Sequence, residues 1–275
     1  MGQIQKLSLA YSTCPNDTYI FNGLAHNLID NQGLKFIVTL ADVETLNKKA
    51  LKAFYDITKL SFAAFGSVRD KYRLLKVGAA LGRGCGPLII SNKGKKLNDI
   101  GRSIIAVPGL RTTAYHLLRL YLKDLSKEFE REINPKIIPM PFEKIMPSVL
   151  EGKSDFGVII HEGRFVYQKM GLDLVCDLGK WWEEKTLLPI PLGCIAVKKE
   201  IGKELSIKIE KLIKKSIKHA RNNPDATDSN TDALKDADFD TKKTPDALNE
   251  NVDGPTDLKP KKKSEKDEDE GSSSK

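Results

Sequence analysis

Leu7-Ser8-Leu9-Ala10-Tyr11-Ser12-Thr13-Cys14-Pro15-Asn16-Asp17-Thr18 is the stretch on which the fold turns. Residues 7–12 read as a strand, residues 14–18 as a turn, and residues 19–30, which follow directly, as an amphipathic helix. The same order recurs down the chain. Residues 34–40 read as a strand and 43–54 as a helix; residues 57–60 read as a short strand and 61–72 as a helix. Strands are expected over 75–81 and 86–91, around Gly82-Arg83-Gly84-Cys85-Gly86.

A second set begins with a strand at 103–107, a turn at 108–111 and a helix at 112–125. It continues with a strand at 135–139, a helix at 142–151 and a buried strand at 156–160. Residues 172–177 and 193–197 read as further strands, and 203–222 as a closing helix. This alternation belongs to an α/β protein with largely parallel strands. Two strand–helix sets with a late return strand predict two lobes, residues 1–93 with 194–221 and residues 94–193. The crossings are expected near 91–95 and 190–195, on the plan of two-lobed solute-binding folds, which hold the ligand between the lobes.

Composition narrows the class. At 275 residues, 40% hydrophobic and 30% charged, the chain is long enough for one large domain or two small lobes. No apolar run approaches the roughly 20 residues of a membrane-spanning helix, and Phe156-Gly157-Val158-Ile159-Ile160 has the length of a buried strand. Met1-Gly2-Gln3-Ile4-Gln5-Lys6 lacks the apolar core of a secretory signal, so a cytoplasmic location without membrane insertion is expected. Cys14, Cys85, Cys176 and Cys194 lie far apart with no CxxC pair, which argues against a disulfide framework or zinc ribbon and for buried reduced thiols.

The formal net charge of +8 conceals an asymmetry. Residues 222–275 hold 15 acidic residues against 9 lysines, whereas residues 1–221 hold 36 basic residues against 22 acidic ones. A basic body suits a small anionic ligand. Nucleic acid is not expected, because the basic residues are scattered and nowhere interleave with aromatics as in RNA-binding sheets. Residues 222–275 have few large apolar side chains and no sustained period, so they are expected to be a mostly disordered polar tail with at most a short helix near 231–234.

In open α/β sheets the ligand crevice lies outside the carboxyl ends of the strands. Four segments fall there: Ser12-Thr13-Cys14-Pro15-Asn16-Asp17-Thr18, Lys59-Leu60-Ser61, Leu110-Arg111-Thr112-Thr113-Ala114 and His161-Glu162-Gly163-Arg164. His161 directly follows five apolar residues, where a buried strand exits into a loop, and an imidazole titrating near neutrality is the usual general base. The alternative is a structural histidine hydrogen-bonded to backbone. His26 and His116 fall inside helical stretches and His219 in a lysine-rich helix, so surface or packing roles suit them better. With no second histidine at ligand spacing, no metal is expected.

Thr112 and Thr113 stand where a helix begins, and Ser61 opens another. Such hydroxyls cap the helix, and the free N–H groups of a first turn also bind a carboxylate or phosphate; both readings stand for all three. Asp17 either belongs to a capping turn, the favoured reading, or orients a substrate hydroxyl. The segment 82–86 is not a phosphate loop, because the GK[ST] ending and following helix are missing; its glycines are expected to turn the backbone near a lobe crossing. Trp181-Trp182 is either a stacking pair for substrate or core packing, with packing the safer reading for at least one ring.

The motifs also match a known family. Residues 12–18, Asp42-Val43-Glu44-Thr45-Leu46-Asn47, Thr58-Lys59-Leu60-Ser61 and Leu81-Gly82-Arg83-Gly84 resemble 1,4-dihydroxy-6-naphthoate synthases of the futalosine route to menaquinone. So do Val107-Pro108-Gly109, Thr112-Thr113-Ala114-Tyr115, Ile160-His161-Glu162-Gly163-Arg164-Phe165 and Trp181-Trp182-Glu183-Glu184, in family order over about residues 7–221. The resemblance implies a two-lobed, type II periplasmic-binding-protein-like fold with a ligand cleft between lobes. It also implies a lyase that converts cyclic dehypoxanthine futalosine to 1,4-dihydroxy-6-naphthoate and dihydroxyacetone without metal or organic cofactor. His161 falls on the family's catalytic base, and Lys59, Leu60, Ser61, Thr113 and Ala114 on its substrate-contacting segments. Oligomeric state is not implied.

Two departures accompany the match. Leu187 stands where the family usually has glycine before Leu188-Pro189-Ile190-Pro191, and the family continues beyond residue 221 with further helix where the polar segment stands here. A non-catalytic small-anion-binding protein of the same fold is the rival reading, and His161 at the strand exit favours the enzyme.

Overall fold

The computed structural model describes residues 4–224, and these build two sheets. Strands β1 (Gln5–Tyr11), β2 (Leu34–Leu40), β3 (Ile57–Ser61), β4 (Tyr72–Leu74) and β11 (Ile190–Lys198) form the first, in the order β2-β1-β3-β11-β4, with β5 (Ala80–Gly82) also pairing with β11. Within it β1 runs parallel to β2 and β3, while β11 returns antiparallel to β3. Strands β6 (Leu88–Ser91), β7 (Ile104–Val107), β8 (Lys136–Pro139), β9 (Phe156–Ile159) and β10 (Asp173–Asp177) form the second, in the order β10-β6-β9-β7-β8. There β7 is parallel to β8 and β9, and β6 is antiparallel to β9 and β10.

Each sheet is covered by helices. Leu7, Leu9 and Ile195 of the first sheet pack with Phe21 and Leu24 of α1 (Pro15–Ala25) and with Ile209, Leu212 and Ile213 of α8 (Lys203–Asn222). In the second, Ile105, Phe156 and Val158 meet Leu117, Leu118, Tyr121 and Leu125 of α4 (Thr113–Glu128). Its other face places Ile90, Ala106 and Ile159 against Ile145 and Val149 of α5 (Ile145–Leu150). A strand covered on both faces is apolar throughout, which is why β9 shows no alternation. The remaining helices are α2 (Val43–Leu51), α3 (Phe62–Phe65), α6 (Gly163–Val166) and α7 (Leu178–Thr186).

Several local expectations change. The helix expected from residue 19 starts at Pro15, whose fixed φ and missing N–H suit the first helical position. It stops at Ala25, and Asn27 turns left-handed at φ 53°. The helix expected over 61–72 shrinks to the four residues of α3. Of the strand expected over 75–81 only residues 80 and 81 are extended, in β5; β4 ends before it at Leu74, and Gly78 turns the chain at φ 65° against the side chain of Ile195. Leu75 and Val77 are buried there in the first core.

The division expected at residue 93 also moves. β6 lies within the stretch assigned to the first lobe, yet it pairs with β9 and β10 of the second sheet. The chain therefore passes between sheets at residues 83–87, through the glycine-rich segment. Strand signals show that a segment is extended; they do not show which sheet it joins. β11 makes the return: Ile190 packs in the second core, while Ile195 and Val197 pack in the first. The tail expected over 222–275 lies, beyond residue 224, outside the described residues, as does the short helix near 231–234. Among the described residues no helix is long and apolar enough to cross a membrane.

Candidate active site

The loops that follow β1, β7 and β9, and the end of β3, lie at the carboxyl ends of parallel strands, where open α/β sheets place their ligands. Lys59 and Ser61 are two apart on β3 and so share one face, while Leu60 points to the other. Leu60 is buried with Ala64, Val68, Tyr72 and Cys194, so only its backbone is available to a ligand.

Lys59 is paired. Its Nζ lies 2.8 Å from Asp17 Oδ1, both side chains are almost fully buried, and it donates a second bond to the Gly78 carbonyl at 3.2 Å. Asp17 Oδ2 accepts from the Ser12 hydroxyl at 2.7 Å and the Ser12 N–H at 3.2 Å. Burial alone pulls the Lys59 pKa down, but the charge and hydrogen bond of Asp17 outweigh it and leave the ammonium above its ordinary value. Asp17 is thus the counter-ion that keeps a buried cation charged, rather than only a member of a capping turn. The neighbouring thiols are poor nucleophiles: burial, with Asp17, pushes Cys14 up to about 11, and burial pushes Cys194 up to about 12. Cys85, by contrast with the expectation of buried thiols, is exposed.

Ser61 does not cap α3. Its N–H donates to Asn47 Oδ1 at 3.0 Å and its hydroxyl oxygen accepts from Asn47 Nδ2 at 3.2 Å, which leaves the hydroxyl hydrogen available to a ligand. Asn47, fully buried on α2, was not singled out by sequence reasoning. Its amide also donates to the Arg111 carbonyl at 3.2 Å and so joins the two halves of the molecule.

Thr112 is the N-cap of α4, its hydroxyl accepting from the Tyr115 N–H at 3.2 Å. Thr113 is not a cap: its hydroxyl donates to the Leu192 carbonyl of β11 at 3.0 Å. Among the described residues no acceptor meets the N–H of Thr113 or Ala114, although both residues are buried. Two aligned N–H groups at a helix start form a donor pair for an anion. Ala114 can serve only through this N–H, because its side chain packs in the second core.

His161 leaves β9 with a left-handed backbone, φ 55°, a conformation that costs a non-glycine residue of order 1 kcal/mol or more and collects at functional sites. Its ring stands edge-on to Phe142 at 5.5 Å, and no described residue hydrogen-bonds to the ring nitrogens. The side chain is open to solvent by surface area, yet protein surrounds it closely enough to hold its pKa below the ordinary imidazole value. After burial the charges acting on the ring are Glu162, Asp17 and Lys59, so His161 of the second sheet senses the ion pair of the first. A depressed pKa keeps the imidazole neutral near pH 7, the state that accepts a proton.

Other motifs are structural. Arg83 Nη2 bonds the Leu187 carbonyl at 2.8 Å and the Gly84 N–H bonds Glu183 at 2.7 Å, which fastens the glycine segment to α7. Arg164 bonds the Gly86 carbonyl and Asp177. Trp181 meets Tyr121 edge-on at 5.4 Å and Trp182 donates to the Pro189 carbonyl at 3.3 Å, both rings packing on the second core. Among the described residues no three His, Cys, Asp or Glu side chains could hold a metal.

The fold and the sequence have counterparts. A family model described as menaquinone biosynthesis matches residues 7–250. The 1,4-dihydroxy-6-naphthoate synthase of Thermus thermophilus is 40% identical over 222 residues, covering 81% of this chain and 77% of that protein. The same-named protein of Streptomyces coelicolor is 39% identical over 221 residues, covering 80% and 76%. A crystal structure from Archaeoglobus fulgidus superposes with a TM-score of 0.75 at 30% identity, covering 90% of this chain and 95% of that one. The alkanesulfonate-binding protein of Xanthomonas axonopodis pv. citri superposes at 0.63 with 9% identity, covering 92% and 84%, and shares the fold alone. The architecture is therefore a periplasmic-binding-protein-like α/β fold, and this chain belongs to the menaquinone biosynthesis family.

Proposed function

We propose that this chain is a carbon–carbon lyase, a 1,4-dihydroxy-6-naphthoate synthase that cleaves cyclic dehypoxanthine futalosine to the naphthoate and dihydroxyacetone. The observation that carries the reading is His161 just past the end of β9, with a left-handed backbone and no hydrogen bond to its ring from the described residues, near enough to the Asp17–Lys59 pair of the other sheet for their charges to act on it. His161 removes a proton from the sugar-derived part of the substrate, a carbon–carbon bond breaks, and aromatisation of the ring supplies driving force. The substrate lies between a lobe built on the first sheet and one built on the second. Its anionic or hydroxyl groups meet the N–H groups of Thr113 and Ala114 and, opposite them, the Ser61 hydroxyl. Lys59 adds positive potential from below while Asp17 holds it in place.

The names of the Thermus and Streptomyces relatives support the product, 1,4-dihydroxy-6-naphthoate. The test is to incubate purified protein with the cyclic futalosine derivative and follow the naphthoate by absorbance. A non-catalytic binding protein would bind the compound and release it unchanged, so product above the no-enzyme control separates the readings.

A further inference from the structure

Glu44 and Asn47 stand three residues apart on one face of α2, and both reach the second lobe. Glu44 Oε2 accepts the N–H of Arg111 at 3.2 Å, and Asn47 donates to the carbonyl of the same residue at 3.2 Å. Both backbone groups of Arg111 are thus held by side chains of one helix. Gly109 completes the fit: its backbone sits at φ 149°, and a Cβ there would come within 2.5 Å of the Glu44 carboxyl carbon. The start of α2 is itself fixed, because Asp42 caps it by accepting from the Glu44 and Thr45 N–H groups, each at 3.0 Å.

A cavity of about 210 Å³, bounded by Leu51, Ala63, Leu110, Arg111 and His116, lies against the same loop, so on that side Arg111 borders open space. We propose that Glu44 is a positioning residue: its carboxylate, with Asn47, clamps residues 109–111 to the first lobe and thereby sets the Thr113 and Ala114 N–H pair opposite Ser61. The inference rests on the reading that these groups face the substrate. Loss of the clamp lowers the fraction of molecules with the two halves of the site in register, which weakens apparent affinity by that fraction. Saturating substrate restores the register, so turnover survives.

The test compares Glu44→Met, which fills similar space without an acceptor, with Glu44→Gln, which keeps one. Glu44→Met is expected to raise KM about tenfold with kcat within roughly twofold, while Glu44→Gln stays near wild type. Amide exchange in residues 109–116 of the ligand-free protein should speed up in Glu44→Met and not in Glu44→Gln. In the wild-type protein the Arg111 amide should exchange at least about tenfold more slowly than an unbonded loop amide, a result that needs no variant to fold. Unchanged KM and exchange in Glu44→Met, equal impairment in Glu44→Gln, or an unprotected Arg111 amide would each overturn the clamp. If wild-type protein forms no product, the substrate reading fails, and the exchange measurements still decide the clamp.

Discussion

Lys59 Nζ and Asp17 Oδ1, 2.8 Å apart and nearly sealed from solvent, join β3 to the first turn of α1 beneath the candidate site. A buried pair of this kind is costly to break, because removing one partner leaves the other charge uncompensated. Asp17→Asn and Lys59→Met are each expected to destabilise the protein by ~3–5 kcal/mol, and the double variant should recover most of that loss. Urea unfolding of the three variants measures it; single variants within about 1 kcal/mol of wild type would show that the pair is solvated. The pH dependence has a definite sign. Because the folded-state pKa of Lys59 is raised, its contribution is fully present below the unfolded lysine value of about 10.4 and is lost as pH rises through the folded value. Stability should therefore fall more steeply above that pH in wild type than in the double variant.

The hydroxyls of Ser61 and Thr113 behave differently. Ser61 has a free hydroxyl hydrogen, so Ser61→Ala should raise KM about tenfold, the size of one hydrogen bond to a charged group. The Thr113 hydroxyl is already committed to Leu192, and its backbone N–H survives substitution. Thr113→Val should therefore cost about 1 kcal/mol of stability and raise KM less than Ser61→Ala does. The reverse order in steady-state kinetics would move the substrate contact from the Thr113 backbone to its side chain.

Leu187 ends α7 with a left-handed backbone at φ 61° and is 78% exposed, so its side chain gains little while its backbone is strained. Glycine is the residue a left-handed helix end favours. Leu187→Gly is expected to stabilise the protein by roughly 0.5–1 kcal/mol, seen as a rise in Tm. A lower Tm would mean that Leu187 makes contacts the exposed side chain does not suggest.

Much of this was legible in the sequence because strands and capped helices are local. The closing helix at 203–222 and the loops at the carboxyl ends of the parallel strands follow from apolar period and strand-end position, and His161 stood out because a polar ring directly follows five apolar residues. Long-range geometry was not legible. That β6 joins the second sheet, that Asp17 answers Lys59 across 42 positions, and that Asn47 ties Ser61 to Arg111 are matters of tertiary pairing. Asn47 had one local signal, its place in the motif Asp42-Val43-Glu44-Thr45-Leu46-Asn47, but a buried asparagine on a helix reads the same as a solvated one.

The most direct test of the account is the pH–rate profile of wild type beside His161→Asn and His161→Ala. Asparagine tolerates the left-handed backbone found here, so His161→Asn should fold and bind substrate nearly as wild type does. A positioned base contributes ~10²–10⁴-fold, so kcat should fall at least about a hundredfold in both variants. Burial lowers the His161 pKa, which keeps the base form present into mildly acid solution; the acidic limb of wild-type kcat/KM should therefore lie below the ordinary imidazole value of about 6.5 and vanish in the variants. Activity retained in both folded variants, with the acidic limb unmoved, would contradict His161 as the base.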